Sequence, residues 1–168
     1  EAVDEAPPDF HPRFDARART YEYRVGTSPR SASPFHSRWC WPLGEELAME
    51  AVREATGGLL GDHSFRAFAK AGQPERGERC TVMAADWMPW DDLGWTFTIT
   101  ANRYLHHMVR YLVGTLVDIG RRRRPGTDIQ VLLEGTDPAA STSPPAPPEG
   151  LFLTRVDYDA APLNTATT

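Results

Sequence analysis

Cysteine is scarce in this 168-residue chain: Cys40 and Cys80 are the only two. They stand at no metal-ligand spacing and make no disulfide framework, so the reading is two core thiols in a reducing, cytoplasmic setting. Long apolar runs are also missing. No stretch reaches the roughly 18 apolar residues that a membrane-spanning helix needs, and no secretory h-region is present. Zinc spacings, a glycine-rich phosphate loop, a Gly-x-Ser-x-Gly elbow and internal repeats are absent too. That removes the P-loop, zinc-finger, hydrolase-elbow and solenoid classes, and nothing calls for a metal or a cofactor. The chain opens on Glu1 instead of methionine, and the expectation is that it was cut from a longer product.

Hydrophobic residues make up 40% of the chain and five are tryptophan, enough for the core of one domain or of one large half of something bigger. The net charge of −5 argues against indiscriminate nucleic-acid binding, but the signs are segregated. Arg13, Arg17, Arg19, Arg24 and Arg30 crowd the N-terminal part, and Arg121, Arg122, Arg123 and Arg124 follow one another directly. Four arginines in a row read either as a solvated helix end that suits the helix dipole or as phosphate contacts. Both readings stay open.

The chain is organised around Ala101 to Arg110. An alternating strand (Trp95, Phe97 and Ile99 against Thr96, Thr98 and Thr100) enters it, and an apolar helix (Leu112, Val113, Leu116 and Val117) leaves it. Helical spacing places His106 and His107 beside Arg110 in the helix's first turns. Arg110 is expected to be buried and therefore to need an anionic partner, structural or functional.

In chain order, residues 1–9 read as a linker, and Ala16 to Val25 alternates as a strand with Arg17, Arg19, Tyr21 and Tyr23 on one face. That face is either an ordinary aromatic sheet face or a site wall on which a base could stack. Phe35 to Trp41 reads as a short edge strand. A helix is predicted from Glu45 to Thr56, stopped by Gly57-Gly58. Leu59 to Phe68 is compact and aromatic, with His63 a loop residue, and 70–78 is a polar loop. Cys80–Trp90 and Trp95–Ala101 form a hairpin around Asp91-Asp92-Leu93-Gly94. Helices follow over Leu105–Gly120 and Thr127–Glu134. Residues 137–148 read as a mobile loop, 149–158 as a last strand and 160–168 as a disordered tail. This irregular alternation is α+β, with a domain over 10–159.

Three stretches then combine: Phe10-His11-Pro12-Arg13-Phe14 with Ala18 to Tyr23, Asn102 to Arg110, and Glu149 to Leu153. In this order they closely resemble the TruA-type tRNA pseudouridine synthases, as does Leu59 to Phe65. The resemblance implies a mixed or antiparallel sheet with helices packed on it. It implies isomerisation of uridine to pseudouridine in the anticodon stem-loop of tRNA, with no metal or cofactor. An aspartate attacks, the glycosidic bond breaks, the base turns and a carbon–carbon bond forms on a base flipped from its stack.

By the same resemblance, Tyr21 stacks on the target base, Arg110 pairs with the nucleophilic aspartate and Leu151 packs in the pocket. Arg17, Arg19, His106, His107 and Arg121 to Arg124 are the RNA-binding candidates. The expected partners are the tRNA anticodon arm, a second copy in a homodimer and the missing N-terminal half. The family's Arg-Thr-Asp-Ala-Gly nucleophile motif is not found in this chain, which is therefore read as the C-terminal half and is expected to be inactive alone. Two other readings remain: an RNA-binding module of the same fold without chemistry, and a purely structural or dimerisation domain.

Overall fold

The computed structural model describes residues 6–70 and 77–158. It is an α+β fold: a mixed sheet of six strands among the described residues, with three helices packed on it. The strands are β1 (Ala16–Gly26), β2 (Trp41–Pro42), β3 (Gly61–Ser64), β4 (Arg79–Trp90), β5 (Gly94–Ala101) and β6 (Leu151–Tyr158). The helices are α1 (Met49–Gly57), α2 (Met108–Gly120) and α3 (Asp128–Glu134). The order is β2-β1-β5-β4-β3, and β6 also pairs with β1. All pairings are antiparallel except the short β1–β2 pair.

Alternation decides which face of the sheet is buried. Tyr23 and Val25 of β1, Phe97, Ile99 and Ala101 of β5, and Val82 and Trp87 of β4, brought to one face by a register shift after Val82, are all buried and share one core with α1 and α2. Trp87 closes α1 onto the sheet: its indole donates to Thr56 Oγ1 at 3.0 Å, and that hydroxyl donates back to the Val52 carbonyl at 2.7 Å.

Helix α2 is buried almost all round, with Met108, Val109, Leu112, Val113, Gly114, Leu116 and Val117 all out of solvent. Such a helix needs cover on its outer side as well. The proline-rich segment 143–148, part of the stretch expected to be mobile, supplies it. Ser143 and Ala146 are buried, and the Ser143 amide donates to Thr115 Oγ1 at 3.3 Å. The approach depends on Gly114, where a β-carbon would collide with the Pro144 carbonyl.

Several elements differ from their sequence expectations. Helix α1 starts at Met49 rather than Glu45, because its entry is used in tertiary contacts. The Ala48 amide donates to the Gly120 carbonyl at 2.9 Å, and Glu45 pairs with Arg121. Helix α2 starts at Met108 rather than Leu105. Phe35–Trp41 is not an edge strand: Phe35 is 83% exposed, Ser37–Trp39 is a 3-10 turn, and pairing begins only at Trp41. Strand β3, within the stretch read as a compact loop, pairs with β4 from Gly61↔Val82 to Ser64↔Arg79. The polar loop lies mostly, and the tail wholly, outside the described residues.

Candidate active site

The site gathers where β1, the entry to α2 and the segment before β6 meet. Tyr21 and Tyr23 are two apart on β1 and so face the same side. Tyr21 is half-buried and lies opposite Ile99 on β5 and Leu153 on β6, and Tyr23 lies opposite Phe97 and Leu151. The Tyr21 ring meets the edge of Tyr104, centroids 4.9 Å apart and planes at 81°. Tyr104 is fixed from behind, its hydroxyl lying 2.8 Å from the Ile99 carbonyl and 2.9 Å from that of Arg19. Burial raises the hydroxyl pKa of both Tyr104 and Tyr23 well above the ordinary tyrosine range, so both stay protonated donors at neutral pH.

Arg110 sits in the first turn of α2. It is half-buried rather than buried, so the expectation of a fully desolvated guanidinium is corrected: α2 buries its neighbours Val109 and Met108 against the sheet and leaves position 110 at the flank. Its Nε donates to the Ala146 carbonyl at 2.6 Å, and the Ala146 amide donates to the Arg110 carbonyl at 2.9 Å. No aspartate or glutamate pairs with it among the described residues. The next carbonyl along, Pro147, accepts from the Tyr23 hydroxyl at 2.6 Å. Leu151 follows the 3-10 turn Pro148–Gly150 and packs against the core. Arg110 and Leu151 are thus linked through Tyr23 and the segment 146–150, and Tyr21 shares the strand face of Tyr23.

The two histidines precede α2 instead of lying on its face. His107 is the residue before the helix and has left-handed backbone, φ 66°. The His106 carbonyl accepts from the Lys70 amide at 3.1 Å, and the two imidazole centroids are 4.1 Å apart. Desolvation first, then the positive neighbours His106, Arg110 and Lys70, hold the His107 imidazole below the ordinary histidine range. Lys70 and Arg110 therefore supply the positive charge at the start of α2, with the two imidazoles between them, and the patch is suited to an anion.

The arginine candidates divide. Arg19 is structural in part, donating to the Asn102 carbonyl at 3.3 Å and the Arg13 carbonyl at 2.5 Å. Arg17 is exposed at the start of β1. The side chain of Arg121 is only 16% exposed, pairs with Glu45 and Asp118, and lies over the Trp41 ring at 5.9 Å. Arg124, 19% exposed, holds Asp128 at 2.8 Å and donates to the Ser141 carbonyl at 2.6 Å. The members of the run therefore differ. Arg121 and Arg124 stabilise the helix end, whereas Arg122 and Arg123 project to solvent, Arg123 staying 3.8 Å from Asp118.

Sequence reasoning gave no part to Tyr104 or Asn102, and gave Tyr23 only a place on the face read as a sheet face or a site wall. The Asn102 side chain accepts from the Thr81 amide at 2.9 Å and fixes the end of the hairpin. All three lie inside the stretches that carried the resemblance, but spacing alone names no partner for them. Among the described residues no cluster of three or more His, Cys, Asp or Glu could hold a metal.

The family model described as tRNA pseudouridine synthase matches residues 55–159. A tRNA pseudouridine synthase A of Bacteroides fragilis is 36% identical over 152 residues, covering 90% of this chain and 58% of the relative. The Moorella thermoacetica protein of the same name is 38% identical over 94% of this chain and 63% of its own length. A tRNA pseudouridine synthase-like 1 of Xenopus laevis is 34% identical over 93% of this chain and 58% of its own length. The chain thus spans less than two thirds of each of these relatives, and within that span family match and sequence identity agree: it belongs to the tRNA pseudouridine synthase family, of the TruA type.

Proposed function

We propose that this chain is the C-terminal half of a cofactor-free, cytoplasmic tRNA pseudouridine synthase that works as a homodimer on the anticodon arm. A preceding segment carries the nucleophilic aspartate, and this half supplies the pocket wall and part of the tRNA-binding surface. Tyr21 stacks on the flipped uracil, propped at a fixed angle by Tyr104. The terminal nitrogens of Arg110 receive the aspartate, a planar fork meeting a planar carboxylate. Leu151 closes the apolar side of the pocket. His106 and His107 with Lys70, and Arg17, Arg19, Arg122 and Arg123, contact phosphates.

One observation carries this reading: the Arg110 guanidinium is anchored through Nε alone and has no carboxylate among the described residues. An arginine held at one nitrogen and open at the others is a receptor for an anion. The test is release of tritium from C5-labelled uridine in tRNA, since the C5 proton leaves when the carbon–carbon bond forms. The 168-residue chain should release none, because geometry at the nucleophile dominates such a step. A protein extended upstream to include an Arg-Thr-Asp motif should turn over. In it, Arg110→Ala should lower kcat about a hundredfold or more, with a much smaller change in KM, because the nucleophile's charge is left unpaired. Turnover by the 168-residue chain would place the nucleophile among its own aspartates and sink the reading.

A further inference from the structure

The segment that walls the site has few means of holding itself. Residues 144–148 read Pro-Pro-Ala-Pro-Pro, and proline has no backbone N–H. Its carbonyls are instead captured from outside. Arg110, from α2, takes the Ala146 oxygen, and Tyr23, from β1, takes the Pro147 oxygen, each at 2.6 Å. The two anchors are adjacent along the chain but come from different layers of the fold. The Tyr23 ring also presses on the segment directly: a β-carbon at Gly150 would lie 2.8 Å from Cζ of Tyr23. Tyr23 is fully buried, so its hydroxyl is no ligand for a substrate.

We propose that Tyr23 is a positioning residue for Arg110. By holding the Pro147 carbonyl it fixes the Ala146 carbonyl that aims the guanidinium, and by the same bond it sets Leu151, its own cross-strand partner. The inference rests on the reading of Arg110 as the arginine that receives the nucleophilic carboxylate. A guanidinium tied only at Nε can swing about that tie when the segment moves. Fixing the segment fixes the direction in which the two terminal nitrogens point.

Tyr23→Phe keeps the ring and removes the anchor. In the 168-residue chain the readout is solvent exchange of the Arg110 Nε–H, followed by nuclear magnetic resonance with the amides of α2 and β5 as internal controls. The expected result is exchange about tenfold faster at Arg110, as for loss of one hydrogen bond's protection, with the control amides unchanged. Unchanged exchange at Arg110, or equal acceleration at every amide, would overturn the proposal. In the upstream-extended protein, Tyr23→Phe should lower kcat about tenfold at constant KM for tRNA. That loss should vanish in an Arg110→Lys background, where the fork is already gone. A full additive loss there also overturns the proposal. Should Arg110→Lys itself leave turnover intact, the reading of Arg110 fails, and the exchange measurement still decides whether Tyr23 anchors it.

Discussion

His107 stands at φ 66°, a backbone region that most side chains avoid and that asparagine tolerates better than most. Its imidazole is held below the ordinary histidine value of 6.5 by desolvation and by His106, Arg110 and Lys70. The unfolded chain therefore takes up this proton before the folded one does. Stability from this residue is complete above the unfolded value and is lost as pH falls from about 6.5 through the lower folded value. His107→Asn removes the titration and keeps the backbone. Thermal midpoints measured between neutral and mildly acid pH should therefore fall less steeply in the variant than in the parent, and equal slopes would remove His107 as the source. None of this could be read from spacing. Helical periodicity set both histidines on the face of α2, whereas the left-handed turn before Met108 takes them off it. What spacing did expose was a cation at position 110 in search of an anion.

At the level of elements, the arginine run after α2 is two structural residues and two available ones, a division invisible in four identical letters. The chain turns sharply at Arg122, φ 58°. Arg121 goes back toward Glu45, and Arg124 forward toward Asp128 and Ser141. Replacing Arg122 and Arg123 by alanine should make the log–log salt dependence of tRNA binding shallower by about 0.7 to 0.9 for each phosphate no longer neutralised, with little change in stability. Arg124→Ala should instead cost about 1 to 3 kcal/mol of folding stability, since it frees the segment leading to the cover over α2 from charged hydrogen bonds. Filter binding across a salt series and denaturant titration separate the two effects. Strands were legible where alternation was clean, as in β1 and the β4–β5 hairpin. They were not legible in β3, whose Gly-Asp-His-Ser carries no apolar alternation and is held as strand by β4 alone. The cover over α2 was hidden for the same reason: composition reports that prolines and serines cannot build a core, not that a glycine on a neighbouring helix has made room for them.

For the whole molecule the open feature is β6. One edge pairs with β1, and no strand pairs with the other among the described residues. Leu153 is 52% and Tyr158 39% exposed along it. A bare edge with apolar side chains invites further strands. The 168-residue chain should accordingly form species larger than a dimer as its concentration rises, in sedimentation velocity. Leu153→Lys should suppress them, as should extension by the upstream segment if that segment covers the edge. A chain that stays monomeric or dimeric at high concentration would show that the edge is not sticky.

The pairing of β1 with β6 also sets an order of events during synthesis. Tyr23 must wait for Leu151, and Ala16 for Tyr158, so strands at the two ends of the described chain close on one another across nearly all of it. Such distant closures are slow, because everything between must first be gathered. As the chain leaves the ribosome, the β4–β5 hairpin and α2 can assemble early, with β1 beside β5. The Pro147 carbonyl and Leu151 then arrive only with the start of β6, after every other strand and helix of the fold. Until they do, the Arg110 guanidinium has no carbonyl to hold it, and an incomplete chain can carry a paired sheet with α2 still uncovered and the pocket unfinished.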